Sequence, residues 1–176
     1  TTEKVVSHIA SSFQNYPVES INLTDYATRQ EDYYFKENEL LIIGVPAYGG
    51  RVPAPVVDAL RHFTGSNTPV VLVATYGNRD IDDTLIELKK NVIDKGFIPV
   101  GAASFVCQHT FLKECAEGRP DEEDLKMAGE FGDKLKERLR LLVTYDAGDL
   151  EVPGTFPYTK PPMGVFPFKV ETNEYC

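Results

Sequence analysis

The chain has few cysteines, no long apolar run and no surplus of positive charge. Its three cysteines, Cys107, Cys115 and Cys176, are too few for a disulfide framework, which is typical of a reducing cytoplasm. No apolar stretch approaches the roughly 20 residues needed to span a bilayer. The net charge is −9 over 176 residues, and no basic patch is present to neutralise phosphates. We therefore expect neither nucleic acid nor a membrane among its partners.

Several familiar catalytic and metal-binding patterns are also missing. The sequence has no Walker loop, no GxGxxG and no Ser-His-Asp arrangement. Cys107, His109 and Cys115 supply three ligands where a structural zinc site normally has four, and their spacing matches no usual finger. Asp82 and Asp83 fall in a predicted helix start, which argues against the acidic pocket of a phosphate-accepting receiver domain.

Two loops carry most of the information in the sequence. Residues 40–43 and 70–73 are unbroken apolar runs, typical of strands buried on both faces of a parallel sheet. Each run leads into a loop with glycine and tyrosine, at residues 44–53 and 75–80, and each loop precedes a helical pattern. Loops at the carboxyl ends of neighbouring parallel strands form a ligand crevice. Because tyrosine offers a flat face and glycine allows close backbone approach, the pair indicates a planar cofactor.

The remaining periodicity predicts alternating helices and strands. Helices are expected over 2–15, over 54–63, from an Asp80 cap to Gly96, and over 125–142; strands are expected over 18–23, 40–45, 70–75 and 97–106. Residues 26–38 are expected to form a loop or a weak helix. The pattern predicts a three-layer, doubly wound parallel α/β sheet of the flavodoxin-like class, with strand order 2-1-3-4-5. Only four strands are found, so we expect the central first strand to lie upstream of Thr1.

The character of the chain changes near residue 148. Five prolines follow and the apolar periodicity disappears, which predicts an extended linker or a strap across the surface. We therefore divide the chain into a domain over 1–147 and a proline-rich segment over 148–176.

Three motifs resemble the flavodoxin domain of bacterial and archaeal flavodoxin–ferredoxin fusion proteins. They are Pro-Ala-Tyr-Gly-Gly-Arg-Val-Pro at 46–53, Tyr-Gly-Asn-Arg at 76–79, and Glu-Gly-Arg-Pro-Asp at 117–121. The likeness covers residues 1 to about 142, and Thr1 and Thr2 match the end of the family's first phosphate loop, Ser-x-Thr-Gly-Thr-Thr. The resemblance implies that Cys176 is the first ligand of a 4Fe–4S cluster in a ferredoxin-like module beyond this sequence.

The resemblance implies an FMN site and one-electron transfer. Thr1 and Thr2 would bind the phosphate at a helix N-terminus. The two loops and one histidine would hold the ring: Pro46, Ala47, Tyr48, Gly49, Gly50 and Arg51; Tyr76, Gly77, Asn78 and Arg79; and His109. Tyr48 and Tyr76 would flank the ring, and backbone at Gly49 and Gly50 would reach flavin N5.

Several alternatives stay open. Arg51 and Arg79 could bind a ring carbonyl, the phosphate or a partner, or lie solvated at the surface. His109 is either a satisfied loop histidine or a proton donor at the flavin edge. The domain is expected to relay electrons between FMN and an iron–sulfur centre in a downstream ferredoxin module or redox protein. The rivals are a cofactor-free binding or scaffold module and an FMN-dependent NAD(P)H:quinone-type reductase.

Overall fold

A computed structural model describes residues 1–141 and 150–161. The helices are α1 (Thr2–Ala10), α2 (Ala54–Ala59), α3 (Thr84–Ile93) and α4 (Glu122–Leu141), with single 3-10 turns at Ser11–Phe13, Thr28–Gln30 and Leu60–His62. The strands are β1 (Tyr33–Phe35), β2 (Leu41–Pro46), β3 (Phe63–Gly65), β4 (Thr68–Tyr76) and β5 (Phe97–Val106). No helix within these ranges combines the length and apolarity required to cross a membrane.

The main sheet is parallel and lies between two helical layers. Its order is β2-β4-β5, with Leu41 opposite Val70 and Thr68 opposite Phe97. Alternate residues of β4 face opposite layers: Leu72 packs in the same core as Leu88 of α3, whereas Val71 packs with residues of α1 and α4. Burial on both faces explains the unbroken apolar run of β4. The fold is therefore the predicted three-layer, flavodoxin-like α/β class.

Strand β5 contains a bulge opposite the middle of β4. Val70 pairs with Pro99 and the next residue, Val71, pairs with Gly101, so Val100 is an extra residue in β5. Proline has no N–H to contribute to a ladder, and bulges are a usual place for it.

Strands β1 and β3 form a second, smaller parallel sheet that the sequence did not predict. Tyr33 and Phe35 of β1 pack on Phe63 of β3, with ring centroids 5.0 and 5.4 Å away. The strand β1 lies within residues 26–38, for which a loop or weak helix was expected.

The predicted strand over residues 18–23 is wrong, because this segment has no regular secondary structure. Ile21 and Leu23 still pack against the core, which explains their apolar pattern, but Val18 is exposed. A strand also needs a neighbour to pair with its backbone, and within the described residues β2 pairs only with β4. No residue within 1–141 or 150–161 pairs with the other edge of β2.

The start of α3 also differs from the prediction. The helix begins at Thr84, and Asp80 forms a turn instead, accepting the N–H of Asp82 at 3.0 Å. The positive φ of 41° at Asp82 interrupts the helical geometry before residue 84.

Candidate functional site

A wide groove of about 2000 Å³ crosses the carboxyl edge of the sheet and continues along the open edge of β2. The groove exceeds the roughly 300–1,000 Å³ of a usual small-molecule site, so a single ligand would occupy only part of it. Nine of the thirteen residues predicted to bind the cofactor line it: Thr1, Thr2, Pro46, Ala47, Tyr48, Gly49, Tyr76, Gly77 and His109. Gly50, Arg51, Asn78 and Arg79 do not.

The N-terminus of α1 lies at this edge of the sheet. The hydroxyls of Thr2 and Thr75 are 2.7 Å apart, and Thr75 is at the end of β4. The carbonyl of Thr75 accepts the N–H of Ala47 at 2.7 Å, which joins the ends of β2 and β4. Thr1 is the N-cap residue and makes no side-chain cap bond. The N-terminus of α1 and the hydroxyl groups of Thr1 and Thr2 therefore lie at the groove.

Residues 48–51 form a tight turn beside this helix end. Tyr48 and Arg51 exchange backbone hydrogen bonds at 3.0 and 3.2 Å, and both intervening glycines have positive φ, 61° and 81°. Tyr48 is 40% exposed and lines the groove.

The two glycines of this turn differ in their surroundings. A Cβ at Gly49 would meet open space, whereas one at Gly50 would collide with Asp82. The carbonyl of Gly50 accepts the N–H of Asp83 at 2.9 Å. Gly50 therefore holds the two loops together, and Gly49 is the glycine that faces the groove.

Arg51 is turned away from the groove and is buried. Its guanidinium donates to both carboxylate oxygens of Glu87, at 2.6 and 2.8 Å, and to the carbonyl of Lys160 at 2.6 Å. The hydrogen bonds to Glu87 raise the pKa of Arg51 above its usual value. Arg51 is thus neither solvated nor directed into the groove, and it forms a structural ion pair with Glu87 that was not among the roles considered from the sequence. Glu87, which lies on the buried side of α3, was not predicted from the sequence as part of the site.

The second loop begins where β4 ends. Tyr76 is half-buried and packs against the core, and Gly77 has no room for a Cβ because His109 lies against it. Asn78 is exposed with a φ of 59°. Arg79 forms an ion pair with Asp82.

His109 closes one side of the groove. Its ring Nδ1 accepts the backbone N–H groups of Phe111 and Leu112, each at 3.1 Å, and the backbone N–H of His109 donates to the carbonyl of Cys115 at 3.0 Å. Because Nδ1 is the acceptor of these bonds, the neutral ring carries its proton on Nε2. Both earlier interpretations of His109 therefore remain compatible with its position.

The loop that carries His109 is fixed at its far end by an ion pair. Arg119 donates to both carboxylate oxygens of Asp124. At the start of α4, the backbone N–H of Asp121 donates to the carboxylate of Asp124 and the backbone N–H of Asp124 donates to the carboxylate of Asp121, each at 3.0 Å. The hydrogen bond from Arg119 lowers the pKa of the buried Asp124 carboxyl. The motif at 117–121 thus has a structural role.

The cysteines do not form a metal centre in the described part of the chain. No cluster of three potential ligands occurs among those residues, and Cys107 and Cys115 are free thiols. Burial raises the pKa of Cys107 to about 11. The predicted cluster ligand Cys176 lies outside the described residues.

The solved structures that are similar to this chain include a flavodoxin and a flavodiiron core. The solution structure of two-electron reduced flavodoxin from Megasphaera elsdenii has a TM-score of 0.47 and 19% identity, covering 76% of this chain and 91% of the flavodoxin. The metal-soaked flavodiiron core of Flv1 from Synechocystis sp. PCC6803 has a TM-score of 0.46 and 16% identity, covering 78% of this chain and 32% of that one. Comparisons with family profiles and with curated proteins give no match. Because both scores are low, the assignment to the flavodoxin-like class rests on the sheet topology.

Proposed function

We propose that the domain over 1–147 binds FMN at the carboxyl edge of the sheet and transfers electrons. The observation that supports this is the meeting of three elements in one groove: the N-terminus of α1, the turn at 48–51 and the loop after β4. The elements come from separate parts of the sequence, and each offers what a different part of FMN requires.

The available donors suit a phosphate at one end and a flat ring at the other. The N-terminus of α1 favours an anion, and the hydroxyls of Thr1 and Thr2 add to its backbone donors. Tyr48 and Tyr76 line the groove nearby and offer aromatic surface. The residues present therefore fit the cofactor.

Backbone at Gly49 would hold the ring's polar edge. Among the described residues, its N–H and carbonyl have no hydrogen-bond partner, and the space around its Cα is open. His109 would present its Nε2 proton from the opposite side of the crevice. When bound, FMN would supply redox chemistry that no amino-acid side chain of this site provides.

We further propose that the domain passes electrons between FMN and a redox partner. The sequence resemblance supports a relay to a 4Fe–4S cluster in a ferredoxin module, with Cys176 as its first ligand, and residues 148–176 as the linker. The net charge of −9 would make an additional electron on the cofactor less favourable and so tune its potential.

We also propose that the functional domain has one more strand beside β2. The groove runs along β2, where Ile42 and Gly44 line it, and residues 17–24 line it as well. An edge strand this apolar normally has a partner. Since α1 begins at the carboxyl edge, a parallel strand in this slot would end where Thr1 begins, as in a right-handed crossover. The strand would be supplied by residues preceding Thr1 in a longer protein.

Titration of the protein with FMN tests the function. We expect a flavin absorbance band and quenched flavin fluorescence on binding, more strongly for a version extended upstream of Thr1. Tyr48→Ala and Tyr76→Ala should each weaken binding about 2- to 13-fold, because an aromatic contact contributes about 0.5–1.5 kcal/mol beyond its buried area. Tyr26→Ala is the control, because Tyr26 is exposed and does not line the groove.

The outcomes separate the rival functions. An extended protein that takes up no FMN would contradict the proposal and favour a scaffold module. Steady-state NAD(P)H oxidation by the FMN-loaded protein with a quinone would favour a reductase over an electron carrier.

A further inference from the structure

We propose that residues 150–160, here called the strap, hold the turn at 48–51 and the loop at 77–83 in position, with Asp83 as the positioning residue. No strap residue lines the groove, so the strap acts through these loops without touching a ligand. The effect on FMN rests on the function proposed above, whereas the effect on the loops does not.

Asp83 is the anchor of the strap. The residue is 2% exposed, and its carboxylate accepts five hydrogen bonds from the strap. Oδ1 accepts the N–H and hydroxyl of Thr155 at 3.0 and 3.2 Å; Oδ2 accepts those of Thr159 at 2.6 and 2.8 Å and the N–H of Lys160 at 3.2 Å. Hydrogen bonds to a buried carboxylate are strong and geometrically specific, so five of them fix the position of the strap relative to Asp83.

The same residue also holds the turn of the candidate site. The backbone N–H of Asp83 donates to the carbonyl of Gly50 at 2.9 Å. Asp83 thus binds the strap through its side chain and the turn through its main chain, so a shift of one would move the other.

Lys160 is the strap residue that contacts both the turn at 48–51 and the loop at 77–83. Its N–H binds Asp83, its carbonyl accepts a hydrogen bond from Arg51 at 2.6 Å, and its ammonium lies 3.8 Å from Asp82. Both loops are therefore joined through one strap residue. Tyr158 adds a second contact, because the Arg51 guanidinium carbon lies 4.0 Å from the centre of its ring.

The strap is also packed onto α3, which makes a rival interpretation possible. Phe156 lies under Lys90, with 4.0 Å between the ammonium and the ring centre, and Gly154 has no room for a Cβ beside Ile86. If these contacts were the whole purpose of the strap, it would cover α3 and leave the loops unaffected.

Hydrogen exchange measured on Asp83→Asn distinguishes a strap that positions the two loops from a strap that only covers α3. The amide is nearly isosteric but presents N–H groups to the strap's donors. We expect exchange at residues 48–51, 77–83 and 152–160 to accelerate about tenfold or more, while α1 keeps its protection. Asp124→Asn is the matched control, because Asp124 is equally buried and hydrogen-bonded but lies at the start of α4. Asp124→Asn should accelerate exchange in the loop at 107–121 and leave exchange in the strap unchanged.

Thr159→Val covers the case in which Asp83→Asn does not fold. It removes one hydroxyl donor and keeps the side chain's shape, so it should accelerate exchange in the same three regions, less strongly. Faster exchange confined to residues 152–160 in either variant would overturn the proposal.

FMN binding provides the functional measurement. In FMN-loaded protein, Asp83→Asn should weaken affinity about fivefold and shift the midpoint potential, with binding restored at excess FMN. If the protein extended upstream of Thr1 bound no FMN, the proposed function would be refuted, while the exchange experiment would still decide the role of the strap. If the loops loosened without any change in affinity or potential, the positioning role of Asp83 would be refuted.

Discussion

Replacing Glu87 by Gln should destabilise the protein severely. Glu87 accepts two bonds from Arg51 and one from the N–H of Val52 at 2.9 Å, and both charged side chains are less than one-tenth exposed. The neutral amide leaves the guanidinium buried without a countercharge, and breaking a buried pair in this way costs about 3–5 kcal/mol. With an m-value of about 1–3 kcal/mol/M, the urea midpoint should fall by 1 M or more.

The exposed pair between Arg61 and Asp58 provides the control. Its side chains are 72% and 64% exposed and 3.4 Å apart, so Asp58→Asn should change the unfolding free energy by about 0–1 kcal/mol. Both variants would be measured by urea unfolding at neutral pH. If Glu87→Gln lowered the free energy of unfolding no more than Asp58→Asn does, the reasoning would be refuted. The Arg51–Glu87 pair would then behave as a solvent-exposed pair.

Three further outcomes follow from the same contacts. Gly50→Ala should destabilise the protein more than Gly49→Ala in thermal melts, since only Gly50 lacks space for a Cβ, although both have positive φ; equal losses would contradict this. Burial raises the pKa of Asp83 but its hydrogen bonds lower it by more, to below its usual value. Its contribution to stability should therefore be complete above about pH 4 and decline as the pH falls further, and Asp83→Asn should flatten the acid limb of the unfolding curve. At pH 8, Cys115 should react with iodoacetamide before Cys107, whose thiol is buried with a raised pKa; equal rates in the native protein would show that this core opens.

Long buried strands were predictable from the sequence and short ones were not. Strand β5 has the predicted bounds, 97–106, because its ten residues are mostly apolar and buried and so carry their own signal. Strands β1 and β3 have three residues each, too few for periodicity to detect. The apolar residues of 18–23 did indicate burial, but whether a buried segment becomes a strand depends on a neighbour for its backbone.

For the candidate site, position was more predictable than contacts. Glycine and tyrosine after two buried strands located the groove, because neighbouring parallel strands end at the same edge. The burial of Arg51 depends on Glu87, which is 36 positions away, and the bonds of Asp83 reach 72 to 77 positions along the chain. Such long-range partners leave no local pattern in one sequence.

The extra residue in β5 determines which way the end of that strand faces. Before the bulge, Ile98 packs toward α1 and α4; after it, Ala103 and Phe105 do the same, although their numbers have the opposite parity. If Val100 were instead paired in regular alternation, with no bulge, Phe105 would turn toward the α3 layer. The chain would then leave the sheet on the wrong side to bring His109 against Gly77. One extra residue in the middle of a strand thus determines on which face of the sheet the chain continues into the loop that lines the crevice.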